Sequence, residues 1–101
     1  MGKREIEKYI LKNKENMYRI RKELFENPEI GLKENMASEL LAAMFREEGF
    51  SVIKGIYGLE TGFRAEYASG RPGPSIAFIC EYDALPEIGH ACGHNIIAAM
   101  S

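Results

Sequence analysis

Both histidines of this chain lie in one short run, Glu81-Tyr82-Asp83-Ala84-Leu85-Pro86-Glu87-Ile88-Gly89-His90-Ala91-Cys92-Gly93-His94-Asn95. The same run carries Cys92 and the carboxylates Glu81 and Asp83. A thiolate and an imidazole suit borderline-soft divalent ions such as zinc, and a helix N-terminus lowers the pKa of a thiol beside it. Cys92 and His94 form a Cys-x-His pair where a loop turns into a helical pattern, so both conditions favour metal ligation there. Two donors do not make a site, and on spacing alone the plainer account carries more weight: a small buried thiol and a satisfied helix-start histidine. A nucleophilic Cys92 working with a histidine is weaker still, because such close sequence neighbours rarely reach the geometry required.

The other polar residues of the run keep alternatives open. Asp83 either orients a metal-bound histidine through its second ring nitrogen or shapes the turn before Ala84-Leu85-Pro86. Glu81 is a ligand, a carboxylate behind a ligand, or an edge residue facing solvent, and the last is the simplest. In extended backbone Glu81 and Asp83 point to one side, with Tyr82 opposite. His90 either donates a hydrogen bond within the loop or contacts substrate. Cys80 sits in an apolar run and reads as core packing.

Several elements must carry this loop. From residue 3 to residue 26 the apolar positions Ile6, Ile10, Met17, Ile20 and Leu24 recur at helical spacing between charged residues, and Asn27-Pro28 ends the pattern. A second helical stripe, Met36, Ala37, Leu40, Leu41 and Met44, predicts a helix over about residues 32–48 with Gly49 as a left-handed cap. Residues 50–56 are rich in β-branched side chains and residues 62–68 alternate apolar with polar, which predicts two strands. Residues 68–74 are dense in turn formers and read as a hairpin connection. Residues 75–80, Ser-Ile-Ala-Phe-Ile-Cys, are almost continuously apolar, the pattern of a central strand covered on both faces. Residues 95–101 begin like a third helix and stop within it. In an open α/β sheet, ligands bind beyond the carboxyl ends of strands, which is where the histidine-bearing loop falls.

Composition narrows the functional classes. At 101 residues the chain has room for one domain, and 46% hydrophobic with 28% charged residues excludes disordered and fibrous classes. A net charge of -2 and a pI near 5.7 give no electrostatic footprint for nucleic acid or an anionic membrane. Residues 1–50 hold ten basic and ten acidic side chains, against three and five in residues 51–101, so the second half is expected to be the buried one. Two cysteines are not a disulfide framework, the N-terminus lacks the apolar core of a signal peptide, and Ile6 breaks a myristoylation pattern. A soluble, cytoplasmic protein is expected.

The run EYDALPEIGHACGHN resembles the EYDALP-x-IGHACGHN signature of the dinuclear-metal aminoacylase and carboxypeptidase-G-like metallopeptidases, in the amidohydrolase branch that holds p-aminobenzoyl-glutamate hydrolases and aminoacylase-1-like dipeptidases. Glu26-Asn27-Pro28-Glu29-Ile30-Gly31 with Glu34 matches that branch's opening NPE-x-G pattern. The resemblance spans nearly the whole chain but only the opening portion of a family member. It implies an α/β fold, a partial mixed β-sheet with flanking helices forming the N-terminal part of a zinc-peptidase-like catalytic domain over residues 1–101. The inserted dimerisation domain and the remaining catalytic part would lie beyond.

Members of that family hydrolyse amide bonds of N-acyl amino acids or dipeptides with two divalent ions, zinc, manganese or similar, and full-length members are homodimers. By this likeness Cys92 is a bridging metal ligand, His94 a second ligand, and Asp83 the aspartate that supports the metal site. Glu81 stands where many relatives have a metal-binding histidine, Asn95 replaces an aspartate, and Glu87 replaces the usual glycine after Leu-Pro. The expected function is metal-dependent amide hydrolysis by a full-length enzyme, with this chain inactive alone. The rival is a non-catalytic remnant or small interaction domain keeping one weak metal site.

Overall fold

The computed structural model describes residues 2–101. The expected first helix is two, α1 (Lys3–Lys12) and α2 (Lys14–Glu26), divided at Asn13. The Asn13 side-chain amide donates to the Tyr9 carbonyl at 2.8 Å, a local bond of the kind that lets asparagine interrupt a helical ladder. The division has a consequence for packing. α2 buries Ile20 and Leu24, whereas α1 buries nothing and leaves Ile6 and Ile10 of the predicted stripe in solvent. α2 ends at Asn27-Pro28 as the proline requires.

Helix α3 (Asn35–Glu47) starts later than the stripe predicts. Residues 32–34 are spent on a turn in which Leu32 takes a φ of 68° and the Lys33 N–H donates to the Ile30 carbonyl. Its other end follows the sequence: Gly49 at φ 89° donates to the Arg46 carbonyl and Phe50 to the Phe45 carbonyl, the paired bonds of a Schellman motif.

Strands β1 (Ser51–Lys54) and β2 (Phe63–Glu66) pair antiparallel, with Ser51 opposite Glu66 and Lys54 opposite Phe63. Helix α3 packs on both. Aromatic rings tie the layers together: Phe45 meets Phe50 at 5.1 Å and Phe63 at 5.8 Å, and Phe63 stacks on Tyr82 at 6.0 Å. Helix α4 (His94–Met100) lies against α2, burying Asn95 and Ala98. One core results, built from Ile20, Leu24, Ala37, Leu41, Tyr82 and Ala98.

The α/β class and the flanking helices stand, but two expectations are corrected. Residues 75–80 form no strand, and Ile76, Phe78 and Ile79 are 77%, 81% and 84% exposed. Continuous apolarity states which solvent a strand prefers; it supplies no partner, and β1 and β2 pair only with each other. The sheet is accordingly antiparallel, the only parallel pairing among the described residues being the single bridge between Ile30 and Ala84. The second half is also not the buried one. Most of the buried apolar core comes from α2 and α3, because scarcity of charge does not by itself bring a covering surface.

Candidate metal site

The loop that leads into α4 is held by the scaffold before it. The Ala84 N–H donates to the Glu29 carbonyl at 2.7 Å, and Ile30 bridges to Ala84. Leu85 and Gly89 exchange N–H···O bonds of 2.9 and 3.1 Å, closing a tight turn through Pro86, Glu87 and Ile88. Within that turn Glu87 adopts φ 71°, a left-handed conformation that favours glycine. Gly89, at φ 66°, lies against Pro28, with its absent Cβ 3.7 Å from the proline ring. The two segments that carry the family resemblance, residues 26–31 and 81–95, are therefore docked on one another.

Gly93, at φ 86°, turns the chain into α4, and His94 is the first helical residue. Its ring is clamped between two carboxylates. Nδ1 lies 2.6 Å from Asp83 Oδ1, a short charge-assisted contact, and Nε2 lies 3.4 Å from Glu81 Oε2, longer than the ~2.7–3.2 Å of an N–H···O bond. Of the two roles open to Asp83, the geometry is that of a carboxylate orienting an imidazole through Nδ1. Cys92, two residues before His94, is a free and exposed thiol and does not join the group. Among the described residues no group of three or more His, Cys, Asp or Glu side chains is arranged to hold a metal ion.

His90 is buried, and neither ring nitrogen has a hydrogen-bond partner among the described residues, so it does not donate within the loop. Burial pushes its pKa down and nearby His94 adds to this, while Asp83 pushes the other way. Cys80 packs against the core, and burial raises its thiol pKa. Two surface grooves, one beside α1 and the other beside residues 68–78, are lined by none of Glu81, Asp83, His90, Cys92 or His94.

Two positioning residues escape a reading of spacing. The Glu29 carboxylate accepts the N–H groups of Met36 at 2.9 Å and Ala37 at 2.7 Å, capping α3 in place of Glu34, which makes no such bond. The missing Ser, Thr, Asp or Asn before α3 was the available signal, since the first N–H groups of any helix need an acceptor. The Asn95 side-chain amide donates to the Arg21 carbonyl at 3.3 Å, tying α4 to α2 directly behind His94.

The donor set fits part of a metal centre in kind. A histidine with one nitrogen on a carboxylate presents the other for ligation, the usual support of a metal-bound imidazole, and a thiol stands two residues away.

No protein-family model matches the chain. It is 41% identical over 85 residues to an Xaa-Arg dipeptidase of Mus musculus, covering 76% of this chain and 20% of that protein. It is 32% identical over 111 residues to thermostable carboxypeptidase 2 of Saccharolobus solfataricus, covering 96% of this chain and 26% of that protein. A p-aminobenzoyl-glutamate hydrolase polypeptide of Escherichia coli is 28% identical, over 78% of this chain and 20% of its own length. Over 76–96% of its length the chain is thus similar to the opening portion of dipeptidase, carboxypeptidase and hydrolase sequences. It spans about a fifth to a quarter of the length of the curated relatives it matches. No helix of the described residues is long and apolar enough to cross a membrane.

Proposed function

We propose that this chain is the N-terminal portion of the catalytic domain of a metal-dependent amidohydrolase that cleaves amide bonds of dipeptides or N-acyl amino acids. In this reading Cys92 and His94 are its contribution to a centre of two divalent ions, completed by residues elsewhere in a longer, homodimeric, cytoplasmic protein. The observation that carries it is the 2.6 Å contact between Asp83 Oδ1 and His94 Nδ1. That contact holds the plane of the ring, so Nε2 is the atom left for an ion. The bound metal would polarise the amide carbonyl and lower the pKa of water. This chain's own residues orient: Asp83 holds His94, Asn95 anchors the helix that starts with His94, and Glu29 holds the loop. The relatives' names, a dipeptidase, a carboxypeptidase and a hydrolase, support the substrate class.

A second reading, a non-catalytic interaction domain with one weak metal site, draws on the exposed Ile76, Phe78 and Ile79. The test compares Cys92→Ala with Cys80→Ala in the native full-length protein, measuring bound metal per chain and hydrolysis of a dipeptide and N-acyl amino acid panel. Even residues behind metal ligands are worth roughly 10 to 100-fold in affinity or activity, so Cys92→Ala should cost at least about that much, with Cys80→Ala keeping its metal. Equal effects of the two substitutions would overturn the ligand assignment, and a wild-type protein that binds metal without hydrolysing any of the panel would favour the second reading.

A further inference from the structure

We propose that Glu29 is the positioning residue that sets the Asp83–His94 pair, by fastening the site loop to the N-terminus of α3. The inference rests on the functional reading above for its significance, but its geometry stands apart from any metal. Residues 68–83 make no backbone–backbone hydrogen bond among those described, so the Ala84 N–H to the Glu29 carbonyl, at 2.7 Å, is the first main-chain anchor the polypeptide meets after β2. That anchor adjoins Asp83, whose carboxylate reaches His94. Its other end is fixed just as firmly. The two Glu29 carboxylate oxygens take the N–H groups of Met36 and Ala37, one each, at a helix terminus with no capping side chain of its own. The positive end of the α3 dipole favours the carboxylate there. One residue thus grips the helix with its side chain and the loop with its carbonyl. Releasing the side chain frees the carbonyl, and the displacement passes through Ala84 to Asp83.

A merely structural cap would lower stability and nothing else. The experiment therefore compares Glu29→Ala and Glu29→Gln with Gly49→Ala, which strains the opposite end of α3 at φ 89° and touches no part of the loop. Two quantities are read in the native full-length protein without added metal: hydrogen exchange of the Ala84 amide, and the ¹⁵N imidazole shifts of His94, which report the Nδ1 contact with Asp83. Glu29→Ala should speed Ala84 exchange at least about fivefold, as loss of a helix cap does, and shift the His94 resonances toward those of a free imidazole. Glu29→Gln keeps one acceptor oxygen and should move both readouts partway in the same direction. Gly49→Ala should lower the melting temperature and leave both unchanged. Wild-type His94 shifts in Glu29→Ala, or equal movement in Gly49→Ala, would overturn the proposal. If Glu29→Ala does not fold, Glu29→Gln decides it, with wild-type exchange at Ala84 as the refuting result. A wild-type enzyme that binds no metal would instead defeat the functional reading, and the imidazole readout would still judge Glu29.

Discussion

Residues 14–54 and residues 68–93 satisfy their backbones in opposite ways. The first stretch closes its hydrogen bonds within helices α2 and α3 and the β1–β2 ladder, and buries Ile20, Leu24, Ala37 and Leu41 in doing so. The second has no helix or strand ladder among the described residues and is held at a few points: Ala84 on Glu29, the Leu85–Gly89 exchange, Gly89 against Pro28, and Tyr82 in the core. Yet Glu81, Asp83, His90 and Cys92, most of the residues with chemistry to offer, are in the second stretch. The difference teaches that this site is positioned from outside, by a regular scaffold that carries no chemistry of its own. Loop segments placed by rigid elements commonly carry function. Here the placing contacts can be named.

The largest effect should come from cutting into the scaffold. Leu24 is fully buried in α2, so Leu24→Ala should cost about 2–5 kcal/mol in the transfer and cavity terms together. Ile79→Ala, at a position 84% exposed, should change stability by less than about 0.5 kcal/mol. Denaturant titration of the two variants side by side measures the contrast. A large loss at Ile79 would mean that residues 75–80 are covered in solution. The same exposed run makes a second prediction for the isolated 101-residue chain. It should self-associate through residues 75–80, and Phe78→Lys should reduce that association, as seen by sedimentation at rising concentration.

How much of this was legible in the residues follows from the range of the signals. Helical stripes are local, so α2 and most of α3 could be read from Ile20, Leu24, Ala37 and Leu41, and the Gly49 cap from a single glycine. The Asn13 break was not legible, because Ile10 and Met17 keep the helical spacing across it. β1 was readable from β-branched content and β2 from apolar–polar alternation, while residues 75–80 were not, because a strand exists only with a partner and a partner is a non-local fact. In the site, Asp83 and His94 were singled out by residue type, and the 2.6 Å contact between them joins residues eleven apart in sequence. Glu29 and Asn95 were visible only as matches to or departures from a motif. Their bonds to Met36, Ala37 and Arg21 join segments that only the fold brings together.

A middle-sized effect tests whether the loop carries strain of its own. Glu87 holds φ 71° at the tip of the Leu85–Gly89 turn, and a left-handed non-glycine residue costs about 1–2 kcal/mol. Glu87→Gly removes that cost but loosens the unfolded chain, so the net expectation is a stabilisation of about 0.5–1 kcal/mol, read as a rise in melting temperature. Exchange at Gly89, inside the turn, should slow with it. Destabilisation by glycine would show that the Glu87 side chain makes a contact worth more than the strain.

The smallest effect is a slope, and it lies where the two regions meet. Tyr82 belongs to the irregular stretch by sequence but to the core by position, stacked on Phe63 with its hydroxyl donating to the Thr61 carbonyl. Burial, first of all, raises its phenolic pKa above the usual value near 10, with Glu34 adding to the rise and the Ser38 hydroxyl opposing it. In the unfolded chain the phenol ionises near its ordinary value, so above about pH 10 the native state holds the proton longer and binds more protons than the unfolded state. Stability contributed by the neutral, buried phenol is therefore complete below that pH and is lost as pH rises toward the folded pKa. Tyr82→Phe removes the hydroxyl and its bond to Thr61 at every pH, so it should start lower but lose less between about pH 9 and 11, a range set by the ordinary tyrosine pKa. Equilibrium unfolding at several alkaline pH values measures both lines. Parallel lines would place Tyr82 in contact with water, and the irregular stretch would then lose one of the points that root it in the scaffold.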